Sequence, residues 1–286
     1  SSAYYGVQTQ RALENFQISG LHFSQDLIFA LVMIKKAAAL TNMRLKTLDV
    51  QKGHAIVKAC DDILADRLHN QFPVDIFQAG AGTSEHMNVN EVVANRALEI
   101  LGKKKGSYSF LHPNDHVNMS QSTNDVFHSA IHVASYMLIK KELLPSITLL
   151  ERALRTKSKE WKAIMKSART HLRDAVPMSL GQEFGSYAQA IWKDRWQIRH
   201  DIRRLMELNL GGTAVGSGIN TTPRYRKEIY RHVRTIAHVP FRPSKNLFEG
   251  TSSLSSLQTV SASLRGLATT LIRLANDLRL LGSGPV

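Results

Sequence analysis

The chain has 286 residues, 43% of them apolar and 21% charged, with 37 Lys+Arg against 23 Asp+Glu and a formal charge of +14. That composition excludes disorder as the default and supplies enough apolar residues for a large core. A single cysteine, Cys60, excludes an intrachain disulfide framework and a thiolate zinc cluster.

The longest apolar run, residues 27–34, is eight residues, far short of the roughly 18 that a membrane span needs. No basic-then-apolar leader opens the sequence, and because it begins at Ser1 its start is expected to be cut. A soluble, cytoplasmic protein without a membrane partner is expected. The positive charge admits nucleic acid, an acidic partner or an anionic substrate. Its densest stretches are Lys103-Lys104-Lys105 and, on a predicted helix, Arg195, Arg199, Arg203 and Arg204. Neither carries a recognised nucleic-acid motif, so solvated faces or subunit contacts are expected rather than nucleic acid.

Helical periodicity dominates, and the predicted fold class is mostly α. The pattern predicts helices over residues 27–45, 52–68 and 90–101, the last stopped by Gly102. A long helical stretch follows the segment 112–124 and runs to about Ser167, with Pro145 at a kink or an early-turn position. Further helices are predicted over 181–208 and 252–281. In the last, Leu257, Val260, Leu264, Leu267, Leu271, Leu274, Leu278 and Leu281 are spaced alternately three and four apart, a coiled-coil seam. Mostly small residues lie between them, which points to a helix inside a bundle, either of an oligomer or of a monomer. The closing Gly282-Ser283-Gly284-Pro285-Val286 reads as a helix stop leading into something further, so the sequence is expected to be cut there too.

Four segments rich in small polar residues interrupt the helices. Residues 80–91 hold Gly80, Gly82, Thr83 and Ser84, with Asn88 or Asn90 available to cap the following helix. In residues 112–125, Ser122, Thr123 and Asn124 sit where a helix N-terminus favours an anion, and a carboxylate is the natural ligand. A metal reading of His112, Asp115 and His116 is opposed by Pro113, which disfavours a helical i, i+4 histidine pair. Residues 167–177 place Thr170 beside His171, a hydroxyl donor next to a group that titrates near neutrality. The fourth segment, 210–220, has four glycines in eight residues, which implies close backbone passage beside another element.

Taken in order, these segments resemble the aspartase/fumarase family of lyases. The resemblance runs from Ala3-Tyr4-Tyr5-Gly6-Val7-Gln8-Thr9 through Gln71-Phe72-Pro73-Val74-Asp75, residues 80–96, 112–125, 169–184 and 211–220, to Asn276-Asp277-Leu278-Arg279-Leu280. It implies an aspartase/fumarase-like fold with a long central helical bundle, divided into an N-terminal helical domain (1–121) and a truncated bundle domain (122–286), with the C-terminal domain absent. It further implies a homotetramer whose active sites are shared between subunits, and a reversible elimination giving fumarate without metal or organic cofactor.

By that mapping Thr83, Ser122, Thr123, Asn124 and Thr170 hold the carboxylates of a small dicarboxylate substrate. His171 binds a carboxylate or takes part in proton transfer as the catalytic histidine, and His112, Asn114 and Asp115 match a second, peripheral dicarboxylate site. Preorganised donors around the carboxylate oxygens are what a carbanion next to a carboxylate requires. Val74-Asp75, Ala81, Ser84 and Thr123 favour an aspartase; His112-Pro113-Asn114-Asp115 and Gln8-Thr9-Gln10-Arg11 are equally at home in a fumarase.

The sequence departs from the family at His86 (usually Asn), Arg173 (usually Gln) and His128 (often Pro), and 250–257 lacks the acidic residue common there. The family's Gly-Ser-Ser-x-Met-Pro-x-Lys-Val-Asn-Pro loop, with its Ser base, is absent from the 286 residues. The chain by itself is therefore expected to have no significant lyase activity, and a non-catalytic lyase-fold scaffold is the reading of a different class.

Overall fold

The apolar run at 27–34 becomes the first half of a buried helix, around which the larger part of the chain is built. The computed structural model describes residues 3–78, 80 and 82–284. Ten α-helices run through these residues, and the chain separates into two compact units. One comprises the part up to Ser135 with Met206–Ser253, and the other Tyr136–Leu205 with the part from Leu254 onward. The predicted mostly α class matches this architecture. Ala81 and the Pro285-Val286 end of the predicted helix stop lie outside the described residues.

In the first unit, α1 (Val7–Asn15) is held against α4 (Thr83–Ile100) by Glu91. The Glu91 carboxylate accepts hydrogen bonds from the backbone of Gly6, Gln8 and Thr9 and from the Thr9 hydroxyl, at 2.7–3.0 Å. This contact gives the Gly6–Thr9 stretch a structural task. The next helix, α2 (Gln25–Arg44), is capped by Ser24 and buries Leu31, Val32, Ile34, Ala37 and Ala38 completely. A helix apolar on all sides has to be enclosed, and α3 (Val50–Leu64), α4 and the later helix α8 (Pro223–Ala237) pack on it. The third helix stops four residues before the predicted end because Asp66 turns left-handed (φ 60°). Asp75 fastens the preceding loop by accepting from Ser19, Gly20 and Phe77; burial acts to raise its pKa, but these donors hold it well below the usual carboxylate range.

The fifth helix, α5 (Thr123–Leu138), passes through a π-turn at Ile139–Leu143 into α6 (Leu144–Glu160), where Pro145 takes its predicted early-turn position. The predicted continuation to Ser167 does not occur. Instead β1 (Met165–Thr170) and β2 (Arg173–Ser179) form an antiparallel hairpin, with Thr170 opposite Arg173. A Ser179–Gln182 capping box then opens α7 (Leu180–Asp201). This helix ends in a 3₁₀ turn, Ile202–Met206, rather than running to Leu208.

Beyond that turn, β3 (Glu207–Leu208) belongs to the first unit, as do α8 (Pro223–Ala237), β4 (Arg242–Pro243) and α9 (Leu247–Ser252); β3 and β4 pair in parallel. The last helix, α10 (Ser255–Leu281), packs on α7, whose other neighbour is α6. Of the leucine seam only Val260, Leu267 and Leu274 are buried. Leu257, Leu264 and Leu271 are half-buried, while Leu278, Ile272 and Leu280 are exposed.

Candidate active site

Three of the four polar segments converge in the first unit. Residues 83–91, predicted as a loop capped at Asn88 or Asn90, are instead the first turns of α4, which begins at Thr83. Asn88 and Asn90 are buried within the helix, and Asn88 donates to the Gln71 carbonyl at 3.0 Å. The residue before Thr83 is Gly82, at φ 79°, and a Cβ there would stand 2.2 Å from the Phe127 ring. Only glycine lets the start of α4 approach α5 so closely. Thr83 is exposed at that start.

At the head of α5, the Ser122 hydroxyl accepts from the Asn124 amide at 3.3 Å, and the Ser122 amide donates to Asp125 at 2.9 Å. The other oxygen of Asp125 accepts from Gly211 (2.9 Å) and Thr213 (3.1 Å), and the Asn124 side chain donates to the Ala214 carbonyl at 2.7 Å. The glycine-rich segment is thus stitched to the Ser122–Asp125 turn. Its expected close passage is found at Gly216, where a Cβ would lie 2.5 Å from the Leu247 carbonyl oxygen. Burial pushes the Asp125 pKa upward, opposed by these three backbone donors and by Lys35.

Beneath Thr123 lies a group of side chains that the sequence did not reveal as a site. His86, three residues along α4 from Thr83, is almost fully buried; its Nδ1 is 2.8 Å from Thr123 Oγ1 and its Nε2 is 2.6 Å from Lys35 Nζ. Lys35 Nζ also donates to Asn118 (2.8 Å) and Gln121 (3.0 Å), so its three donor positions have partners. Burial first, and the Lys35 charge second, hold the His86 pKa well below the usual imidazole value, so the ring is neutral. While Lys35 holds its proton the ammonium can only donate, so in that state His86 accepts at Nε2 and carries its own proton on Nδ1, which donates to Thr123. The Thr123 hydroxyl proton is left to point elsewhere, available to an anion. Burial lowers the Lys35 pKa to about 7, with Asp125 acting in the opposite sense. The signal for this group was a lysine in a segment otherwise apolar enough to be enclosed.

The peripheral trio adopts a different form. Pro113–Val117 is a single π-turn capped by His112, whose Nδ1 accepts from the amides of Asn114 (3.2 Å) and Asp115 (3.3 Å) and lies 3.4 Å from the Asp115 carboxylate. Asn114 and Asp115 are exposed. His116 accepts from the His112 amide at Nδ1 and faces Lys52 through Nε2 at 3.2 Å. Among the described residues no cluster of three or more His, Cys, Asp or Glu side chains gathers as a metal site.

Thr170 and His171 lie in the second unit, at the tip of the β1–β2 hairpin, and both are exposed. His171 and Leu172 form the two-residue turn with φ of 51° and 64°, a left-handed pair that such hairpins require. Arg173 begins the return strand, also exposed. His128 packs edge-on against His132, which donates from Nδ1 to the Glu207 carbonyl at 2.9 Å.

The sequence matches the family described as Lyase over residues 1–286. This chain belongs to that lyase family. It is 47% identical to an aspartate ammonia-lyase of Bacillus subtilis over 285 residues, covering 100% of this chain and 60% of the relative. It is 43% identical to a class II fumarate hydratase of Neisseria meningitidis over 285 residues, covering 100% of this chain and 62% of the relative. A Brucella melitensis structure described as fumarate lyase:delta crystallin, bound to cobalt, superposes with a TM-score of 0.97 at 44% identity, over 99% of this chain and 62% of that one. The aspartase/fumarase resemblance and its fold are therefore borne out. The chain spans about three fifths of the length of these relatives.

Proposed function

We propose that the chain serves a lyase reaction: reversible elimination of ammonia from L-aspartate to give fumarate, through a carbanion stabilised by the neighbouring carboxylate. The observation that carries the reading is the Thr123 hydroxyl, fixed from behind by a neutral, buried His86 at the head of a helix. A preorganised donor at a helix N-terminus suits a carboxylate that accumulates charge. In this reading Thr83, Ser122, Thr123, Asn124 and Thr170 bind substrate carboxylates, and His171 binds one or moves a proton. His112, Asn114 and Asp115 form a second dicarboxylate site. The similarity to class II fumarate hydratases supports the hydration of fumarate to L-malate as the alternative.

The assembly we propose is a homotetramer with active sites shared between subunits. The half-open seam of α10 supports it, as do Met165, Leu172 and Val176, which the hairpin leaves exposed. The division into domains 1–121 and 122–286 and a cytoplasmic location belong to the same proposal. No helix of the described residues is long and apolar enough to cross a membrane.

The test is to measure fumarate formation from L-aspartate and from L-malate, using the chain alone and the chain joined to the loop-bearing segment of an aspartate ammonia-lyase. Turnover of aspartate by the joined protein and none by the chain alone is expected. Preference for malate would select the fumarase alternative. A folded joined protein inert toward both would favour a scaffold.

A further inference from the structure

Three of the four arginines that stood out in the sequence line a cleft of about 680 Å³ that lies wholly in the second unit. Arg195 and Arg199 on α7 and Arg203 in the following 3₁₀ turn are spaced by four, which places them along one side. Lys140 from the π-turn and Arg152 from α6 complete the lining cations. The compensating charge is small. Glu151 is nearly buried and divided between Arg195 (2.9 Å) and Arg155 (2.8 Å). No carboxylate of the described residues pairs with Lys140, Arg152, Arg199 or Arg203. The Nε–H of Arg195 is buried and makes no hydrogen bond. Tyr136, Leu144, Leu149 and Ile202 supply apolar lining between these charges.

We propose that this cleft binds a small molecule bearing an oligophosphate chain. Cations held together without counter-charge repel one another, and a ligand with several negative charges removes that cost. Planar guanidinium forks match phosphate oxygens two at a time and remain charged throughout the physiological range. The volume lies in the range of small-molecule pockets and exceeds what a four-carbon dicarboxylate fills, so the cleft is not a second copy of the substrate site. Phosphate chains reach such a pocket either free or attached to an organic group; the apolar lining is available to the second kind. The proposal does not rest on the lyase reading, because none of its residues belongs to the carboxylate-binding set.

The experiment is calorimetric titration of the chain with orthophosphate, inorganic tripolyphosphate and ATP in about 0.15 M salt, where exposed charges are screened beyond roughly 8 Å. The expected result is saturable one-to-one binding of tripolyphosphate, roughly tenfold or more tighter than orthophosphate. Arg199→Glu/Arg203→Glu should weaken it about tenfold or more, and Lys140→Glu/Arg152→Glu, on the opposite wall, should do the same independently. Lys58→Glu/Lys104→Glu, with the same charge change in the other unit, should shift it less than about twofold. Equal affinity for ATP and tripolyphosphate would uphold the proposal with the phosphate chain alone as the recognised group. Tighter ATP binding that Leu149→Asn removes would uphold it with the organic moiety also held. The proposal is overturned by unsaturable binding, by equal losses in the Lys58/Lys104 control, or by a short DNA duplex that outcompetes tripolyphosphate. Cleft variants that change only the sedimentation behaviour of the chain would also overturn it, pointing to a second copy as the occupant.

Discussion

The head of α5 and the tip of the β1–β2 hairpin carry the same kinds of side chain, hydroxyls next to an imidazole, in opposite physical circumstances. At Ser122–Asp125 nearly every polar group is committed: Asp125 gathers three backbone donors, Asn124 grips the glycine-rich loop, and His86 and Lys35 lock Thr123 from beneath. At Thr170–Arg173 the side chains are exposed, and two residues hold left-handed backbone without being glycine. One region is organised by its own unit. The other is displayed to solvent.

The sharpest way to break this comparison is to remove Asp125. Asp125→Ala leaves the amides of Ser122, Gly211 and Thr213 without their acceptor, and a loss of roughly 3–5 kcal/mol is expected in urea denaturation. A loss below about 1 kcal/mol would mean that the turn does not depend on this carboxylate.

The next effect distinguishes two carboxylates on α4. Glu91 has four donors, whereas neither oxygen of buried Glu85 has a hydrogen-bond partner, and burial raises the Glu85 pKa to about 8. A carboxyl whose pKa is higher folded than unfolded contributes its stability fully below about pH 4.3 and loses it as pH rises through 8. Glu85→Met should abolish that fall and add roughly 1–3 kcal/mol at pH 8. Denaturation curves for both proteins across this range provide the check.

Lys35 has the opposite sign. Its folded pKa of about 7 lies below the unfolded value of about 10.4, so the unfolded chain holds the proton longer and stability rises between those pH values. Lys35→Met should flatten that rise when the two stability–pH curves are compared. The smallest expected effect is at the hairpin: Thr170→Ala and His171→Ala should each change stability by less than about 0.5 kcal/mol in the same denaturation assay. A larger loss would show that the tip is a structural element.

The parts legible in the sequence were those governed by periodicity. The middle of α2, most of α7 and the seam of α10 were visible because apolar residues recur at helical spacing. The start of α4 was hidden because Glu85, His86, Asn88 and Asn90 look like loop residues until their burial is known. The helix α8 was missed although Thr222-Pro223 opens it and Tyr225, Ile229, Tyr230, Val233 and Ala237 form its buried face; frequent basic residues on the other face masked the pattern. The hairpin was missed because His171-Leu172 lacks the Asn-Gly signal of such turns. Local spacing located the hydroxyls of the candidate site but not their support, because Lys35, His86 and Asp125 come together only through packing between helices distant in sequence.

The central claim is that the Ser122–Asp125 turn at the head of α5 is preorganised within its unit while the Thr170–Arg173 hairpin tip is displayed. Native-state hydrogen exchange, followed residue by residue by NMR, tests it most directly. The amides of Ser122, Gly211 and Thr213 are expected to exchange only through large-scale opening, whereas those of His171 and Leu172 exchange within the first minutes. Comparable, rapid exchange at both places would contradict it.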